Sequence, residues 1–165
     1  MVDDHDICYD LLISLRQIIR ATDLHSKQLV KKYGLTGPQL VVIQVIAREG
    51  EISIGSLAKK VSLSQATVTN IVERLEKNGV LKRKKGETDK RRVLVAATDK
   101  ALEIIQNKPS LLHEQFVARF NKLESWEQTL LLSSLQRIAS MMNAENLEVA
   151  PILFSGPINT LEAKE

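Results

Sequence analysis

The chain has 165 residues, of which 44% are hydrophobic and 4% aromatic, and its formal net charge is +3. That length fits one domain with or without arms, and the scarcity of aromatic residues, glycine and proline favours helices over a β-sandwich. No apolar run reaches the ~18 residues of a membrane span, and the acidic start is unlike a signal peptide. The single cysteine allows no internal disulfide. We therefore expect a mainly α-helical, cytoplasmic protein that has no membrane partner.

Two helices are predicted before residue 50. Apolar residues on one broad face predict a long first helix over residues 6 to 33, which ends at Gly34. Thr36 and Gln39 have the spacing of a capping box, so a second helix is predicted to begin there and to end at Gly50. The apolar residues of the first helix are Ile7, Leu11, Leu15, Ile18, Ile19 and Leu29.

Residues 52 to 79 predict two short helices that are separated by a turn. Ser53 and Ser64 stand where these helices would begin, and a serine hydroxyl there can accept a hydrogen bond from a free backbone N–H. The second helix is predicted over residues 65 to 77, because Gly79 follows it and its apolar residues share one face. Those apolar residues are Val68, Ile71, Val72 and Leu75.

The opposite face of that second helix is polar and has no bulky apolar side chain. Gln and Asn side chains can hydrogen-bond adenine edges in the major groove, and Thr can contact bases or phosphates. A merely solvated surface could have the same composition, so the helix alone leaves both interpretations open. The candidate DNA-binding residues of this recognition helix are Ser64, Gln65, Ala66, Thr67, Thr69, Asn70 and Arg74.

Residues 80 to 97 predict a hairpin of two strands with a turn at residues 86 to 90, because Val, Leu and Thr favour strands. From residue 82 to residue 92 there are seven basic and two acidic residues, a local charge of +5, so the rest of the chain sums to −2. A basic projection beside a helix pair predicts a winged helix-turn-helix that binds double-stranded DNA. The candidate wing contacts are Lys84, Lys85, Asp89, Lys90 and Arg91.

These motifs resemble the MarR family of bacterial transcription regulators. The matching residues are Ile54, Leu57 and Ala58, then the segments 64 to 69, 75 to 81 and 89 to 98. With the flanking helices, the resemblance extends over residues 7 to 143. It implies a homodimer that most simply acts as a repressor on a pseudo-palindromic operator. It also implies an arginine in the minor groove at the position of Arg91, and Gly86 and Thr88 stand where a further acidic residue and a further arginine are usual.

The C-terminal half is predicted to be helical up to residue 142. A long helix over residues 99 to 121 should be kinked by Pro109, and a last helix is predicted over residues 125 to 142. Apolar stripes at both chain ends exceed what one small domain must bury, so they favour dimerisation through the terminal helices over packing within one chain.

The predicted organisation is one MarR-type domain over residues 1–143 and a C-terminal arm over residues 144–165. The DNA-binding part is about residues 52–97, and the dimerisation helices are about residues 6–33 and 99–143. The arm contains two prolines and a short apolar patch at residues 152 to 154, so it is either docked by that patch or disordered.

Residues that could support other chemistry are few. The first eight residues contain a loose group of metal-ligating types, Asp3, Asp4, His5, Asp6 and Cys8, without paired ligand spacing, so no metal is predicted. No catalytic constellation and no phosphate-binding glycine loop is present, so neither an enzyme nor a cofactor is predicted. Some relatives sense peroxide through a first-helix cysteine, but the carboxylates around Cys8 disfavour a thiolate. A redox- or metal-sensing regulator and a winged-helix protein–protein adaptor are the alternatives.

His25 is the candidate residue of an effector pocket, because the family's small-effector pockets open near the corresponding position. Residues 20 to 27 and 35 to 39 also resemble a sub-branch that is tied to compatible-solute synthesis. The expected effector is therefore a small molecule or the ionic strength itself, since DNA affinity that falls with salt would let osmotic stress act as the signal.

Overall fold

The computed structural model describes residues 4–85, 93–147, 149 and 151–155, with the backbone alone at residues 4–6 and 85. The described elements are α1 (Asp4–Tyr33), α2 (Gly37–Glu49), β1 (Ile52–Ser53), α3 (Ile54–Val61), α4 (Gln65–Lys77), β2 (Leu81–Lys85), β3 (Val93–Ala97), α5 (Asp99–Gln106), α6 (Leu112–Phe120) and α7 (Ser125–Met141). The predicted fold class, mainly α with a small β-wing, is confirmed. No helix in the described part of the chain is long and apolar enough to cross a bilayer.

The chain divides into two compact units. The first comprises residues Met1–Pro109 with Ile152–Glu165, and the second comprises Ser110–Pro151. The core of the first unit lies between α2, α3, α4 and the sheet, where most apolar side chains are completely buried. Its fully buried members include Val42, Ile43, Ile46, Leu57, Val68, Ile71, Val72, Leu75 and Val95.

The predicted helix starts are confirmed by capping hydrogen bonds. The backbone N–H of Thr36 donates to Gln39 Oε1 at 3.0 Å before α2. Ser53 Oγ accepts from the backbone N–H of Ser56 at 3.3 Å before α3. Each of these bonds satisfies a donor that the first helical turn leaves without an intrahelical partner. These local signals therefore set where the helices of the DNA-binding part begin.

The sheet has three antiparallel strands in the order β1-β3-β2. β2 and β3 form the predicted hairpin, with Arg83 opposite Val95 and Lys84 opposite Leu94. The two-residue strand β1 was not predicted, and it pairs Ile52 with Val95 on the other edge of β3. This pairing joins the base of the wing to the start of α3.

The prediction of a single kinked helix over residues 99 to 121 is wrong. α5 ends at Gln106 and α6 begins at Leu112. Lys108 lies in the left-handed region with a φ of 47°, and Pro109 follows it directly. A residue in the left-handed region cannot continue a right-handed helix. Pro109 in addition lacks a backbone N–H, and its ring clashes with the preceding helical turn. The segment is therefore interrupted, not bent.

Residues 152–155 pack against α1 within the first unit. The backbone N–H of Ser155 donates to Ser26 Oγ at 2.9 Å, and Ser155 Oγ donates to Asp23 Oδ1 at 3.2 Å. Ile152 is buried, with 9% of its surface exposed. Of the two alternatives for the arm, docking therefore holds for these four residues.

Candidate DNA-binding interface

α4 begins directly after the short turn that follows α3. Ser62 adopts a left-handed conformation with a φ of 54°, and Ser64 then caps α4 by accepting a hydrogen bond from the backbone N–H of Thr67 at 3.1 Å. The apolar face of α4 enters the core through Val68, Ile71, Val72 and Leu75, which are all buried. The remaining face of the helix is thereby presented outward.

The predicted polar residues lie on that outward face. Gln65, Ala66 and Asn70 are exposed, whereas Thr67 and Thr69 are half-buried. The hydroxyl of Thr69 donates to the backbone oxygen of Gln65 at 2.8 Å, so its lone pairs stay available as acceptors. The N-terminal half of α4 therefore offers short donors and acceptors on an exposed surface, as a helix needs in order to contact base edges.

Arg74 has different surroundings from the rest of the predicted set. It is partly buried, and its Nη1 has no hydrogen-bond partner within the described residues. Together with Asn70, Glu73 and Lys77 it lines an open concavity of about 340 Å³. A buried donor without a partner is costly, and an anionic oxygen would satisfy it.

The base of the wing contains two sets of ion pairs. Arg83 of β2 contacts two carboxylates of α4, with Nη2 at 3.5 Å from Glu73 Oε1 and Nε at 3.2 Å from Glu76 Oε2. Lys84, the next residue, pairs with the carboxylate of Glu51. Lys84 therefore has to exchange a carboxylate for any phosphate that it contacts.

The rest of the predicted wing is only partly described. The backbone of Lys85 ends β2, and its side chain is outside the described atoms. Asp89, Lys90 and Arg91 lie outside the described residues. Their roles stay predictions.

Three residues at this interface escaped the sequence interpretation. Arg83 was counted only as part of the charge of the hairpin, Glu76 only as part of the family-matching segment 75 to 81, and Glu73 was given no role. The alternation of side chains along a strand places Arg83 and Lys84 on opposite faces of β2. The ion pairs of Arg83 depend on where α4 packs against β2, and no local sequence signal gives that.

The other predicted site residues are on α1. His25 is half-buried, and Cys8 is exposed. An open concavity of about 790 Å³ lies along α1, and its described lining residues include Arg16, Arg20 and Leu24 but not His25. Among the described residues, no group of three or more His, Cys, Asp or Glu could hold a metal ion.

A capped polar helix beside a basic hairpin defines a winged helix-turn-helix protein. The model of the MarR family matches residues 35–93 of the chain. The HTH-type transcriptional regulator MgrA of Staphylococcus aureus is 30% identical over 105 residues, which are 61% of this chain and 69% of that protein. The chain therefore belongs to the MarR family of DNA-binding transcription regulators, whose members are not enzymes.

Two further proteins agree with this assignment. The uncharacterised HTH-type transcriptional regulator YsmB of Bacillus subtilis is 27% identical over 133 residues, which are 81% of this chain and 91% of that protein. Bordetella bronchiseptica BpsR, whose DNA binding is regulated by 6-hydroxynicotinic acid, superposes with a TM-score of 0.55. It is 25% identical and covers 76% of this chain, and the match spans 89% of the BpsR chain.

Proposed function

We propose that this regulator is a dimeric repressor that binds a pseudo-palindromic operator with one α4 helix in each half-site. The observation that carries this proposal is the division of α4 into a completely buried apolar face and an exposed polar face. A dimer with a two-fold axis places its two recognition helices on related half-sites, which must then be inverted repeats of each other.

The proposed base contacts come from the exposed half of α4. Gln65 and Asn70 can each hydrogen-bond an adenine edge, and the half-buried Thr69 can accept from a base. The short neighbours Ser64, Ala66 and Thr67 allow a close approach to the DNA backbone and to thymine methyl groups. Arg74 would donate to a phosphate, because its Nη1 has no partner among the described residues.

The proposed wing contacts are mostly with phosphates. Lys84, Lys85 and Lys90 would neutralise backbone charge, which strengthens binding to any sequence and makes it dependent on salt. Arg91 would enter the minor groove, whose negative potential is enhanced where A·T pairs narrow it. Asp89 would hold that arginine or its turn in position.

The proposed dimer interface uses apolar side chains of the terminal helices. On α1, Ile7, Ile18 and Ile19 are each at least 55% exposed. On α7, Trp126 and Leu130 are 68% and 58% exposed. Exposed apolar surface of this extent marks an interaction site, and the predicted dimerisation helices, about residues 6–33 and 99–143, contain it. We keep residues 1–143 as the MarR-type domain and residues 144–165 as its arm.

An effector of this regulator would bind near α1. The concavity along α1 combines apolar side chains with Arg16, Arg20 and Asp23. Arg20 pairs with Asp23 at 3.6 Å, so Arg16 would be the main cationic contact for a small anionic molecule. The alternative effector is ionic strength, since loss of DNA affinity at high salt would release compatible-solute genes during osmotic stress.

Selection from a random DNA library tests the proposed function. The wild-type protein should enrich duplexes with two inverted half-sites, and two chains should bind each duplex. Enrichment of no sequence, at both low and moderate salt, would contradict the proposal. Release of the selected duplex by a small carboxylic acid at constant salt would support the molecular effector over the ionic one.

A further inference from the structure

The base of the wing and the recognition helix share the apolar core, and one side chain, Arg83, adds ion pairs between them. Arg83 lies on β2, and its guanidinium reaches two carboxylates that are one helical turn apart on α4, Glu73 and Glu76. A guanidinium is planar and has five donors in fixed directions, so two simultaneous partners restrict its orientation. The contact therefore links the two elements that both face DNA in the proposed function.

Arg83 lies on the face of the hairpin that packs toward α4, although its side chain is still 35% exposed. Side chains alternate along a strand, so Arg83 shares a face of β2 with the buried Leu81. Its partner across the sheet, Val95, is also buried. Lys84 is on the opposite face, where it pairs with Glu51. The base of β2 is thus held by ion pairs on both of its faces.

The charges at this contact argue against a simple role in attracting DNA. Glu73 and Glu76 contribute two negative charges and Arg83 one positive charge, so the group has a net charge of −1. Carboxylates on a helix beside phosphates weaken DNA binding by Coulomb repulsion. A role in holding the two elements in one relative orientation explains why an arginine and two acids occur here together.

We propose that Arg83 is a positioning residue whose ion pairs with Glu73 and Glu76 fix the wing relative to α4 and thereby set sequence selectivity. This inference rests on the proposed DNA-binding function. While α4 and the wing keep one relative orientation, α4 can reach the major groove and the wing the minor groove at the same time only on the correct sequence. When the ion pairs are removed, β2 keeps its apolar packing on α4 but loses a restraint on its orientation, so binding to wrong sequences loses less affinity than binding to the right one.

The test compares selectivity, which is the ratio of affinities for two probes, at two salt concentrations. One probe is a duplex that the wild-type protein enriched from a random library, and the other is a scrambled duplex of the same composition. The variants are Arg83→Gln and the double variant Glu73→Gln/Glu76→Gln. Lys82→Gln is the matched cation control, because Lys82 is exposed on the same strand and has no ion pair among the described residues. Glu103→Gln on α5 is the matched acid control.

Both sets of variants should lower the selectivity ratio about two- to fivefold, the size expected for exposed ion pairs. Lys82→Gln should weaken both probes alike and leave the ratio unchanged, and Glu103→Gln should also preserve it. The variant Arg83→Glu/Glu73→Gln/Glu76→Arg restores one pair with reversed charges, so it should recover most of the ratio. Thermal melting shows that each variant is folded.

Two results would overturn the inference. If Arg83→Gln weakens both probes equally and reduces the salt slope by about one unit, Arg83 is a phosphate contact. If Glu73→Gln/Glu76→Gln strengthens both probes equally, the pairs are surface charges without a positioning role. Failure of the proposed function is a separate result, because the wild-type protein would then enrich no duplex at all.

Discussion

α4 and α1 are both amphipathic helices, but α4 exposes only its polar face, whereas α1 exposes its apolar face as well as its polar face. α4 buries every large apolar side chain that it has and exposes Gln65 and Asn70, whereas α1 exposes Ile7, Ile18 and Ile19. An exposed polar face can replace its hydrogen bonds to water with hydrogen bonds to the base edges of DNA. An apolar exposed face gains only by contact with another apolar surface. The comparison supports the proposal that α4 contacts DNA and that α1 contacts a second copy of the chain.

The largest expected effect comes from making the exposed face of α1 polar. Ile18→Glu/Ile19→Glu should convert the dimer to a monomer, since the proposed interface would have to bury carboxylates among apolar side chains. Affinity for the operator should then fall about a hundredfold or more, because the second half-site is no longer bound by a linked helix. Sedimentation velocity and titration measure the two effects.

The control for this change is Lys31→Glu, which alters the charge of α1 at an exposed polar position. The control should remain a dimer. A dimer that survives Ile18→Glu/Ile19→Glu would show that the exposed face of α1 is not the interface.

A smaller effect is expected at the tip of the wing. Arg91→Ala should weaken operator binding and flatten the preference for A·T pairs that flank each half-site, because the lost contact depends on groove shape. Lys85→Ala should weaken all sequences alike and reduce the salt slope by about one unit. Titration against operators with A·T-rich and G·C-rich flanks distinguishes the two. Full flank preference in Arg91→Ala would mean that the wing only neutralises charge.

The ion pair between Lys84 and Glu51 allows a test of whether Lys84 contacts phosphate. Lys84→Ala should also weaken all sequences alike, and Glu51→Gln should strengthen them by removing a carboxylate that competes with phosphate for the ammonium. If Glu51→Gln leaves affinity unchanged at low salt, Lys84 does not contact phosphate.

A local effect is expected where the arm meets α1. The hydrogen bond from Lys27 to Asp23, at 2.9 Å, lowers the pKa of Asp23 below its ordinary value of 3.8, and Ser155 and Arg20 act in the same direction. Because the pKa of the folded state is depressed, the stability that these contacts of Asp23 contribute is complete above pH 3.8, and the part that belongs to arm docking is the hydrogen bond from Ser155. This stability is lost as the pH falls through the lower folded value.

Hydrogen exchange at the Ser155 amide measures that docking. The exchange should show no dependence on Asp23 ionisation between pH 5 and 8, which are on the order of one to four units above that pKa. Asp23→Asn should accelerate exchange severalfold, whereas Asp10→Asn on the same helix should not. Equal rates in Asp23→Asn and the wild-type protein would show that the hydrogen bond between Ser155 and Asp23 does not hold the arm.

No effect at all is expected from Cys8→Ser. Cys8 is exposed near the start of α1, and a sensor thiol needs an environment that favours the thiolate. The variant should bind and release DNA like the wild-type protein, with and without peroxide. A response to peroxide in the wild-type protein that disappears in Cys8→Ser would identify a redox switch.

The sequence predicted the parts of this molecule that depend on local signals. Ser64 and Gly79 bracket α4 closely enough to give its limits, and the spacing of Val68 and Leu75 gives its buried face. β1 was missed because two residues carry no periodic pattern, and its pairing of Ile52 with Val95 exists only in the folded sheet. The break before α6 was missed because a left-handed Lys108 has no signature of its own in the sequence. The ion pairs of Arg83 likewise depend on tertiary packing.

The most direct measurement is a comparison of the sequences that the wild-type protein and Asn70→Ala or Gln65→Ala each select from one random library. Each variant should bind the wild-type operator about 5- to 150-fold more weakly, which corresponds to ~1–3 kcal/mol per lost base contact. Each should also lose its preference at one base pair in both half-sites, at positions related by the two-fold axis of the operator. A uniform weakening with the selected sequence unchanged would mean that α4 touches only phosphates and that the proposed reading of base edges is wrong.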